Sequence, residues 1–354
     1  MVLAVLAVST PARAAAVQAT VKAIHILHLS DLHVTGADTP ETLLAPLLLA
    51  ELKRPDYLVV SGDLADKSEP DGFERAYEVL EYLLKKLDLS GERLILCPGN
   101  HDVEEKISVY QLLEEDDFRA LHPAPEAEKF RDGVFLVQKA AEYPKRFERF
   151  ASLYHRLTQH DFSLDPARQG RDLLFENHRI QFLTLNSAWQ IDKHHRKRAS
   201  LHEQGRAIAL LGAAERLKEA RRQEKLKAGD RLFRIAVWHH ALTDMPADQP
   251  FGDLLHDAGF ALVLHGDTHE TRAAIHNAYQ RPLTVAGAGA LHGAGRPCFY
   301  NWIEIAEDFS YFRIYVREQK ELGGPFEQSS DFRDGEGRPQ GFFEVARPVT
   351  FAVP

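Results

Sequence analysis

The chain has 354 residues, of which 44% are hydrophobic and 27% are charged, a composition that is ordinary for a globular protein with a large core. Its formal net charge of −9 argues against a protein that wraps nucleic acid, because that mode of binding needs a net basic face. The two cysteines, Cys97 and Cys298, lie far apart, so neither a disulfide framework nor a thiolate zinc site is encoded, and any metal ion must be bound by histidines and carboxylates.

Residues 1–22 are predicted to be a leader or a disordered start. A short apolar run at residues 2–8 precedes Ala12-Arg13-Ala14, which is similar to a signal-peptide cleavage site, but the usual basic region ahead of the run is missing. A cytoplasmic localisation is therefore favoured, with export through an atypical N-terminal signal as the alternative. Neither this run nor any later one approaches the roughly 20 residues that a bilayer requires, so no membrane span is predicted.

Strand and helix patterns alternate over the next hundred residues. Apolar runs rich in β-branched residues predict strands at 23–29, 56–61 and 93–97, and amphipathic spacing predicts helices at 40–53 and 71–87. This alternation is typical of parallel strands joined by crossover helices.

Residues 103–175 are more charged and are predicted to form a helical insertion. Residues 137–159 are predicted to be helical, because four aromatic residues recur there at helical spacing: Tyr143, Phe147, Phe150 and Tyr154. Such a stripe usually packs against a core, which is the favoured interpretation. The alternative is a lid over a functional site.

Strands are predicted again at 179–186, 232–238, 260–264, 283–286, 299–305 and 311–316. In the last of these, Phe312, Ile314 and Val316 alternate with polar or aromatic neighbours, as in a strand with one buried face. Residues 318–354 are rich in Gly, Asp and Pro and are predicted to form an extended C-terminal tail. The catalytic domain is thus predicted to span residues 23–317.

Clusters of polar residues follow the predicted strands, where the carboxyl edge of an α/β sheet collects ligands. Carboxylates and imidazoles in such loops can turn toward one metal ion, and the neighbouring glycines permit the tight backbone that this convergence needs. The clusters are Asp31-Leu32-His33, Gly62-Asp63 with Asp66, Gly99-Asn100-His101-Asp102, His239-His240 and Gly266-Asp267-Thr268-His269.

Together these clusters resemble those of the calcineurin-like metallophosphoesterases, over about residues 25–305. The stretches HLSDLH, VVSGDLAD and CPGNHD are similar to the phosphodiesterase branch of that family. The resemblance implies an α/β fold of four layers, an α/β/β/α sandwich in which two central mixed sheets pack face to face with helices outside.

The resemblance also implies a ligand set for two metal ions. Asp31, His33, Asp63 and His269 would surround one ion, with Asp63 bridging to the second. Asn100, His239 and Asp267 would complete the second site. His240 is interpreted as a hydrogen-bonded neighbour, and His265 as a strand residue.

Catalysis in such a site needs a proton for the leaving alkoxide. His101 is the candidate donor, and Asp102 is predicted to orient and charge it. Asp66 is interpreted as a helix cap or turn residue rather than a ligand.

One motif departs from the family pattern, which normally has Gly-His-x-His where this chain has Gly266-Asp267-Thr268-His269. Either Asp267 binds metal in place of the missing imidazole, or the second metal site is weakened.

A basic run at residues 192–198, DKHHRKR, is favoured as a solvated loop. The alternative is a rim that draws an anionic substrate toward an acidic site.

The favoured function is a hydrolase dependent on two divalent metal ions (Mn, Fe or Zn, with Mn favoured), acting as a phosphodiesterase on a nucleotide-like or other small phosphodiester. One alternative is a phosphomonoesterase or protein phosphatase, and another is a metal-binding regulatory module that has lost turnover. The expected partner is a small phosphate-ester substrate. Nucleic acid is compatible as a substrate, but no dedicated binding module is present, and the sequence does not indicate the oligomeric state.

Overall fold

The structure is a computed structural model. It describes residues 22–49, 54–66, 70–122, 127–192, 199–245, 251–268, 272–276, 283–291, 298–319, 321, 324–329, 332–333 and 339–353. The predicted leader, apart from Lys22, and the basic residues 193–198 lie outside this part of the chain.

Strands and helices alternate along the described residues as the sequence predicts. The strands are β1 (Ala23–Leu29), β2 (Tyr57–Val60), β3 (Leu94–Leu96), β4 (Tyr110–Glu114), β5 (Ala127–Arg131), β6 (Val134–Gln138), β7 (Arg171–Phe175), β8 (Ile180–Thr184), β9 (Arg231–Val237), β10 (Phe260–His265), β11 (Arg272–His276), β12 (Leu283–Gly287), β13 (Cys298–Ala306), β14 (Tyr311–Gln319), β15 (Glu327–Gln328), β16 (Phe332–Arg333), β17 (Pro339–Gln340), β18 (Phe343–Ala346) and β19 (Phe351–Ala352). The α-helices are α1 (Pro40–Leu49), α2 (Pro70–Lys86), α3 (Glu115–Arg119), α4 (Glu148–Thr158), α5 (Glu203–Arg222) and α6 (Phe251–Asp257).

The bounds of helix α2 follow from the residues in its first and last turns. Pro70 occupies its first turn, where the missing N–H costs nothing, and Asp71 follows it. Lys85 and Lys86 lie in the last turn, where positive charge offsets the negative end of the helix dipole.

The larger strands form two mixed sheets, each of seven strands within the described residues. In the first sheet the order is β15-β14-β13-β1-β2-β3, with β18 also paired to β14. Strands β1, β2 and β3 are parallel, and β13 is antiparallel to β1. In the second sheet the order is β11-β12-β10-β9-β8-β7, with β19 paired to β9. Strands β8, β9, β10 and β12 are parallel, and β7 and β11 are antiparallel edges.

The two sheets pack face to face. Ile26 and Val59 from the first sheet and Phe182 and Ile235 from the second belong to one buried apolar cluster. Helices α1, α2 and α4 share a cluster with the outer face of the first sheet, and α5 and α6 share one with the second. The predicted four-layer α/β/β/α sandwich is therefore confirmed.

The insertion at residues 103–175 differs from its prediction because it is only partly helical. It contains a three-stranded antiparallel sheet with the order β4-β6-β5. Asp132 and Gly133 join β5 to β6, and Gly133 has a φ of 72°, a conformation that glycine adopts without steric cost. The strands escape prediction because the charged residues of this segment obscure their alternation.

The aromatic stripe of the insertion is buried, as favoured from its spacing. Tyr143, Phe147, Phe150 and Tyr154 are each at most 3% exposed. The helix is shorter than the predicted 137–159, since Val137 lies in β6 and α4 begins at Glu148.

The C-terminal tail adds strands to both sheets. β18 pairs with β14 of the first sheet, and β19 pairs with β9 of the second. The tail therefore contributes to the core, for example through buried Val353, whereas the sequence predicts an extended segment. The domain boundary at residue 317 stays a prediction.

Candidate metal centre

The predicted site residues converge at the carboxyl ends of five strands. Asp31 and His33 follow β1, Asp63 follows β2, and Asn100 follows β3. His239 follows β9, and Asp267 follows β10 of the second sheet. The site therefore straddles the two sheets, each of which contributes part of it. His269 lies outside the described residues.

Four of these residues have left-handed backbone, which side chains other than glycine seldom adopt. The φ angles are 52° at Asp31, 43° at His33, 54° at Asp63 and 65° at Asp267. Backbone hydrogen bonds hold the first two loops together, from Asp31 N to Gly62 O and from His33 N to Asp63 O, each 3.0 Å. Strained backbone that is held in this way is characteristic of functional sites.

Glycines let these loops approach one another. A Cβ atom on Gly62 would lie 2.6 Å from His239 Nδ1. A Cβ on Gly99 would overlap the Asp63 carboxylate, and one on Gly266 would overlap Ser30 Oγ. The structure thus supports the role that the sequence predicted for these three glycines.

Asp63 lies at the centre of the cluster and is 2% exposed. Its Oδ1 accepts a hydrogen bond from His101 N at 2.8 Å. Its Oδ2 lies 3.4 Å from His239 Nε2, 3.9 Å from His33 Nε2 and 4.0 Å from His101 Nε2. Burial opposes ionisation of Asp63, but the three imidazoles lower its pKa, and His239 has the largest effect of the three. A carboxylate with one oxygen fixed and the other facing several imidazoles is suited to bridging cations.

The imidazole of His239 has a defined orientation. Its Nδ1 lies 2.7 Å from Ser61 O, and since a carbonyl oxygen accepts only, Nδ1 carries the hydrogen and donates. Nε2 then faces Asn100 Oδ1 at 3.1 Å, Asp63 Oδ2 at 3.4 Å and Asp267 Oδ1 at 3.7 Å. One nitrogen with three oxygens within 3.7 Å of it forms a donor set that fits a divalent cation.

The Asp267 carboxylate is one of the oxygen donors near His239 Nε2. Its backbone N–H donates to Asp31 Oδ2 at 3.0 Å, so the loops after β1 and β10 are joined across the two sheets. Burial raises the pKa of its carboxyl, and the neighbouring His239 opposes this effect.

Three groups of side chains in the described part of the chain could hold a metal ion. Within each group, one potential ligand atom per residue lies within 4.8 Å of the others. The groups are Asp31, Asp63 and His239; His33, Asp63 and His101; and His239, His240 and Asp267.

The carboxylate of Asp102 contacts the backbones of two loops. Its Oδ1 accepts from Leu64 N at 2.8 Å and its Oδ2 from Gly99 N at 2.8 Å. It therefore ties the loops after β2 and β3 together through their backbones. Burial, and then the charge of Asp63, raise its pKa to about 7.

The carboxylate beside His101 Nδ1 is that of Asp66, at 3.3 Å. The Asp102 oxygens accept from the backbone N–H groups of Leu64 and Gly99, and the predicted role of Asp102 in orienting His101 stays a prediction. Asp66, interpreted from the sequence as a cap or turn residue, is the carboxylate that lies beside the imidazole. The other ring nitrogen of His101 faces Asp63.

Sequence reasoning missed the residues that lie behind the ligands. Ser187 Oγ accepts from the backbone N–H groups of His239 and His240, at 3.2 and 3.1 Å. It also lies 2.8 Å from His240 Nδ1, in agreement with the predicted hydrogen-bonded role of His240. Burial lowers the pKa of His240 to about 3 and that of His265, in strand β10, to about 4. Ser187 lies just after β8, and that position in the chain is the signal that could have identified it.

Comparison with known proteins agrees with this geometry. A sequence profile of the family described as calcineurin-like phosphoesterase matches residues 24–271. The chain belongs to this family. The predicted family, fold class and enzyme class, a metal-dependent phosphoesterase, are thereby confirmed at the level of the family.

An uncharacterized metallophosphoesterase-like protein of Bacillus subtilis (strain 168) is 25% identical over 280 residues, which cover 76% of this chain and 53% of that protein. A cAMP/cGMP dual specificity phosphodiesterase of Mycobacterium tuberculosis (strain CDC 1551 / Oshkosh) is 34% identical over 98 residues, covering 25% of this chain and 30% of that protein. The chain thus spans about half the length of the first relative and less than a third of the second. A dimetal phosphatase structure from Danio rerio aligns with a TM-score of 0.44 at 9% identity, covering 83% of this chain and 95% of that one.

Of the helices that the structure describes, none combines the length and apolar character needed to cross a bilayer.

Proposed function

We propose that this protein is a phosphodiesterase that acts on a small, nucleotide-like phosphodiester at a dinuclear metal centre. The observation that carries the proposal is the position of Asp63, whose Oδ2 faces the Nε2 atoms of His33, His101 and His239 at 3.4 to 4.0 Å. Mn²⁺ is the favoured ion, with Fe and Zn as alternatives, since oxygen and imidazole ligands suit all three.

The proposed ligands divide between two ions that share Asp63. Asp31 and His33, with His269, would hold the first ion. Asn100, His239 and Asp267 would hold the second, and the 3.1 to 3.7 Å spacing of their donor atoms about His239 Nε2 supports this assignment. Two divalent ions supply the charge that clamps a phosphoryl group and lowers the pKa of bound water.

His101 is proposed to give a proton to the leaving oxygen. Asp66 lies 3.3 Å from its Nδ1, so the carboxylate can hold that nitrogen and leave Nε2 directed toward the site. General acids placed in this way contribute about 10² to 10⁴ in rate when the leaving group is an alkoxide.

Two observations favour a diester over a monoester substrate. The stretches HLSDLH, VVSGDLAD and CPGNHD, which contain the site residues that follow β1, β2 and β3, resemble those of the phosphodiesterase branch of the family. A partial relative is named as a cAMP/cGMP phosphodiesterase. Activity toward cyclic nucleotides is a property of that relative and enters here as a proposal.

The proposal is tested by assaying purified protein with bis(p-nitrophenyl) phosphate, p-nitrophenyl phosphate and cyclic AMP, each with Mn, Fe, Zn, Ni or Mg. We expect metal-dependent turnover, with the diesters preferred. The control is Asp63→Ala, which should lose about 10³-fold or more, the scale of losing a central electrostatic group.

Each alternative has its own outcome in this assay. Preference for the monoester would indicate a phosphomonoesterase or protein phosphatase. Metal binding without turnover of any substrate would indicate a regulatory module that has lost catalysis.

A further inference from the structure

A line of buried polar side chains runs beneath the candidate metal centre, in an otherwise apolar layer between the sheets. Asn301 in β13, His28 in β1 and Ser61 after β2 are each 0% exposed. Asn301 and His28 are direct cross-strand partners. Asn301 Nδ2 lies 3.3 Å from His28 Nδ1, and His28 Nε2 lies 2.9 Å from Ser61 Oγ.

The hydrogens along this line can be assigned by their partners. Asn301 Nδ2 also donates to Gly287 O at 2.9 Å, which fixes the amide with its nitrogen toward the carbonyl and toward His28. His28 Nδ1 must then accept, so Nε2 carries the hydrogen and donates to Ser61 Oγ. Burial, and then the nearby His265, lower the pKa of His28 to about 3, so the ring is neutral and has one tautomer.

The line begins and ends on the second sheet. Gly287 is the last residue of β12, whereas Asn301, His28 and Ser61 belong to the first sheet or its loops. At the other end, His239 of the second sheet donates from Nδ1 to Ser61 O at 2.7 Å. Directional hydrogen bonds therefore cross between the sheets on either side of His28.

This crossing matters because the proposed ligands are divided between the sheets. Asp31, His33, Asp63 and Asn100 follow strands of the first sheet, and His239 and Asp267 follow strands of the second. Apolar packing holds the sheets together but is not directional. A shift of one sheet along the other would change every distance between the two halves of the site.

We propose that His28 is a positioning residue: with Asn301 and Ser61 it fixes the register of the two sheets and the orientation of His239 for metal binding. This inference rests on the proposed dinuclear site. His28 itself touches neither metal nor substrate, and its effect reaches the site through Ser61. The Nε2 atom of His239 is then held toward Asn100 and Asp63.

The chain offers a matched control in β2, at the end of this strand opposite to Ser61. Tyr57, at the start of β2, places its hydroxyl 2.8 Å from His178 Nδ1, in the turn between β7 and β8 of the second sheet. Tyr57→Phe thus removes a hydrogen bond between the sheets at the start of β2 that does not lead into the metal centre.

The experiment compares His28→Phe, His28→Gln, Ser61→Ala and Tyr57→Phe with the unaltered protein. Mn²⁺ affinity is measured by calorimetric titration, and stability by thermal unfolding of the metal-free proteins. We expect His28→Phe and Ser61→Ala to weaken Mn²⁺ binding about 10- to 100-fold, the usual effect of losing an outer partner of a metal ligand. His28→Gln should retain most of the affinity, since an amide can both accept and donate.

Tyr57→Phe should lower the melting temperature and leave Mn²⁺ affinity unchanged. Unchanged affinity in folded His28→Phe, or in Ser61→Ala if the former does not fold, would overturn the inference, as would an equal loss in Tyr57→Phe. If the unaltered protein binds none of Mn²⁺, Fe²⁺ and Zn²⁺ in the same titration, the proposed function fails as well, and that result is distinct from a failure confined to the variants.

Discussion

The carboxylate that lies beside His101 belongs to a residue distant from it in the sequence. Asp102 follows His101 directly in the sequence, yet its carboxylate accepts hydrogen bonds from Leu64 and Gly99. Asp66, 35 positions before His101 in the numbering, lies 3.3 Å from the imidazole. Proximity in the sequence therefore does not show which carboxylate lies beside His101, because the loops after β2 and β3 contact each other.

Asp66→Ala should slow hydrolysis in proportion to the need for a proton at the leaving group. With cyclic AMP, whose leaving group is an alkoxide, we expect a loss of about 10- to 100-fold, as for other outer partners of a functional histidine. With bis(p-nitrophenyl) phosphate the rate should change little. His101→Ala is the positive control, with a larger loss on cyclic AMP.

Asp102→Ala distinguishes the contribution of Asp102 from that of Asp66. Removing Asp102 leaves buried backbone N–H groups without an acceptor, which costs about 1 to 3 kcal/mol for each group. The substitution should lower stability and reduce the rates of hydrolysis of cyclic AMP and bis(p-nitrophenyl) phosphate equally. A loss of rate in Asp102→Ala that depends on the leaving group would support the predicted role of Asp102.

At the same scale, Asp267→His should change metal preference. Asp267 Oδ1 lies 3.7 Å from His239 Nε2, and a carboxylate there makes the site more negative and supplies a harder donor than an imidazole. We expect the substitution to raise the affinity for Zn²⁺ relative to Mn²⁺ in competitive titrations. An unchanged ratio, with unchanged occupancy of the second site, would mean that Asp267 is not a ligand.

At the scale of elements, α4 packs its aromatic side chains inward, as the favoured interpretation of their spacing predicts. Phe150 is fully buried and shares a cluster with α2 and the first sheet. Its ring lies 4.8 Å from that of Phe162 in an edge-to-face arrangement. The local spacing alone predicts this face, since apolar residues every three or four positions fall on one side of a helix.

Phe150→Ala should therefore reduce stability and leave turnover unchanged. We expect a loss of about 3 to 5 kcal/mol in the free energy of unfolding, as for other buried phenylalanines. Phe130→Ala is a matched control in the same insertion, because Phe130 is 55% exposed and its loss should cost no more than about 0.5 kcal/mol. A specific fall in kcat for folded Phe150→Ala would favour the lid interpretation.

The tail is an element whose role the sequence did not predict. Strands β18 and β19 are four and two residues long, too short to give a periodic signal. Their pairing is decided by the open positions beside β14 and β9, which exist only after the two sheets have formed.

At the scale of the whole molecule, the proposed metal centre connects two sheets that otherwise meet through apolar packing. A cation bound by ligands from both sheets should act as a crosslink that is absent from the unfolded chain. Free Mn²⁺ at 100 times its dissociation constant should raise the free energy of unfolding by about 2.7 kcal/mol.

This prediction is checked by thermal unfolding with Mn²⁺ and with a chelator. The melting temperature should rise with Mn²⁺ concentration in the unaltered protein and much less in Asp63→Ala. Equal shifts in both proteins would show that the ion stabilises the fold from a different place.

The amino-acid sequence by itself determined the order of the main strands and helices, the glycines at the loop crossings, and the clustering of aspartates and histidines after the strands. Strand β1 has its predicted bounds, and β2, β3 and β9 differ from theirs by a residue or two. These features are local, because each depends on side-chain periodicity or on the few residues at the end of a strand.

The tertiary structure decided which side chains meet. The pairing of His28 with Asn301 joins residues 273 positions apart. The positions of Asp66, Asp102 and Ser61 likewise depend on the way in which loops from different strands fold against each other. Local periodicity does not report contacts at such separations, because contacts of this kind form only when the two sheets pack and bring their carboxyl ends to a common edge.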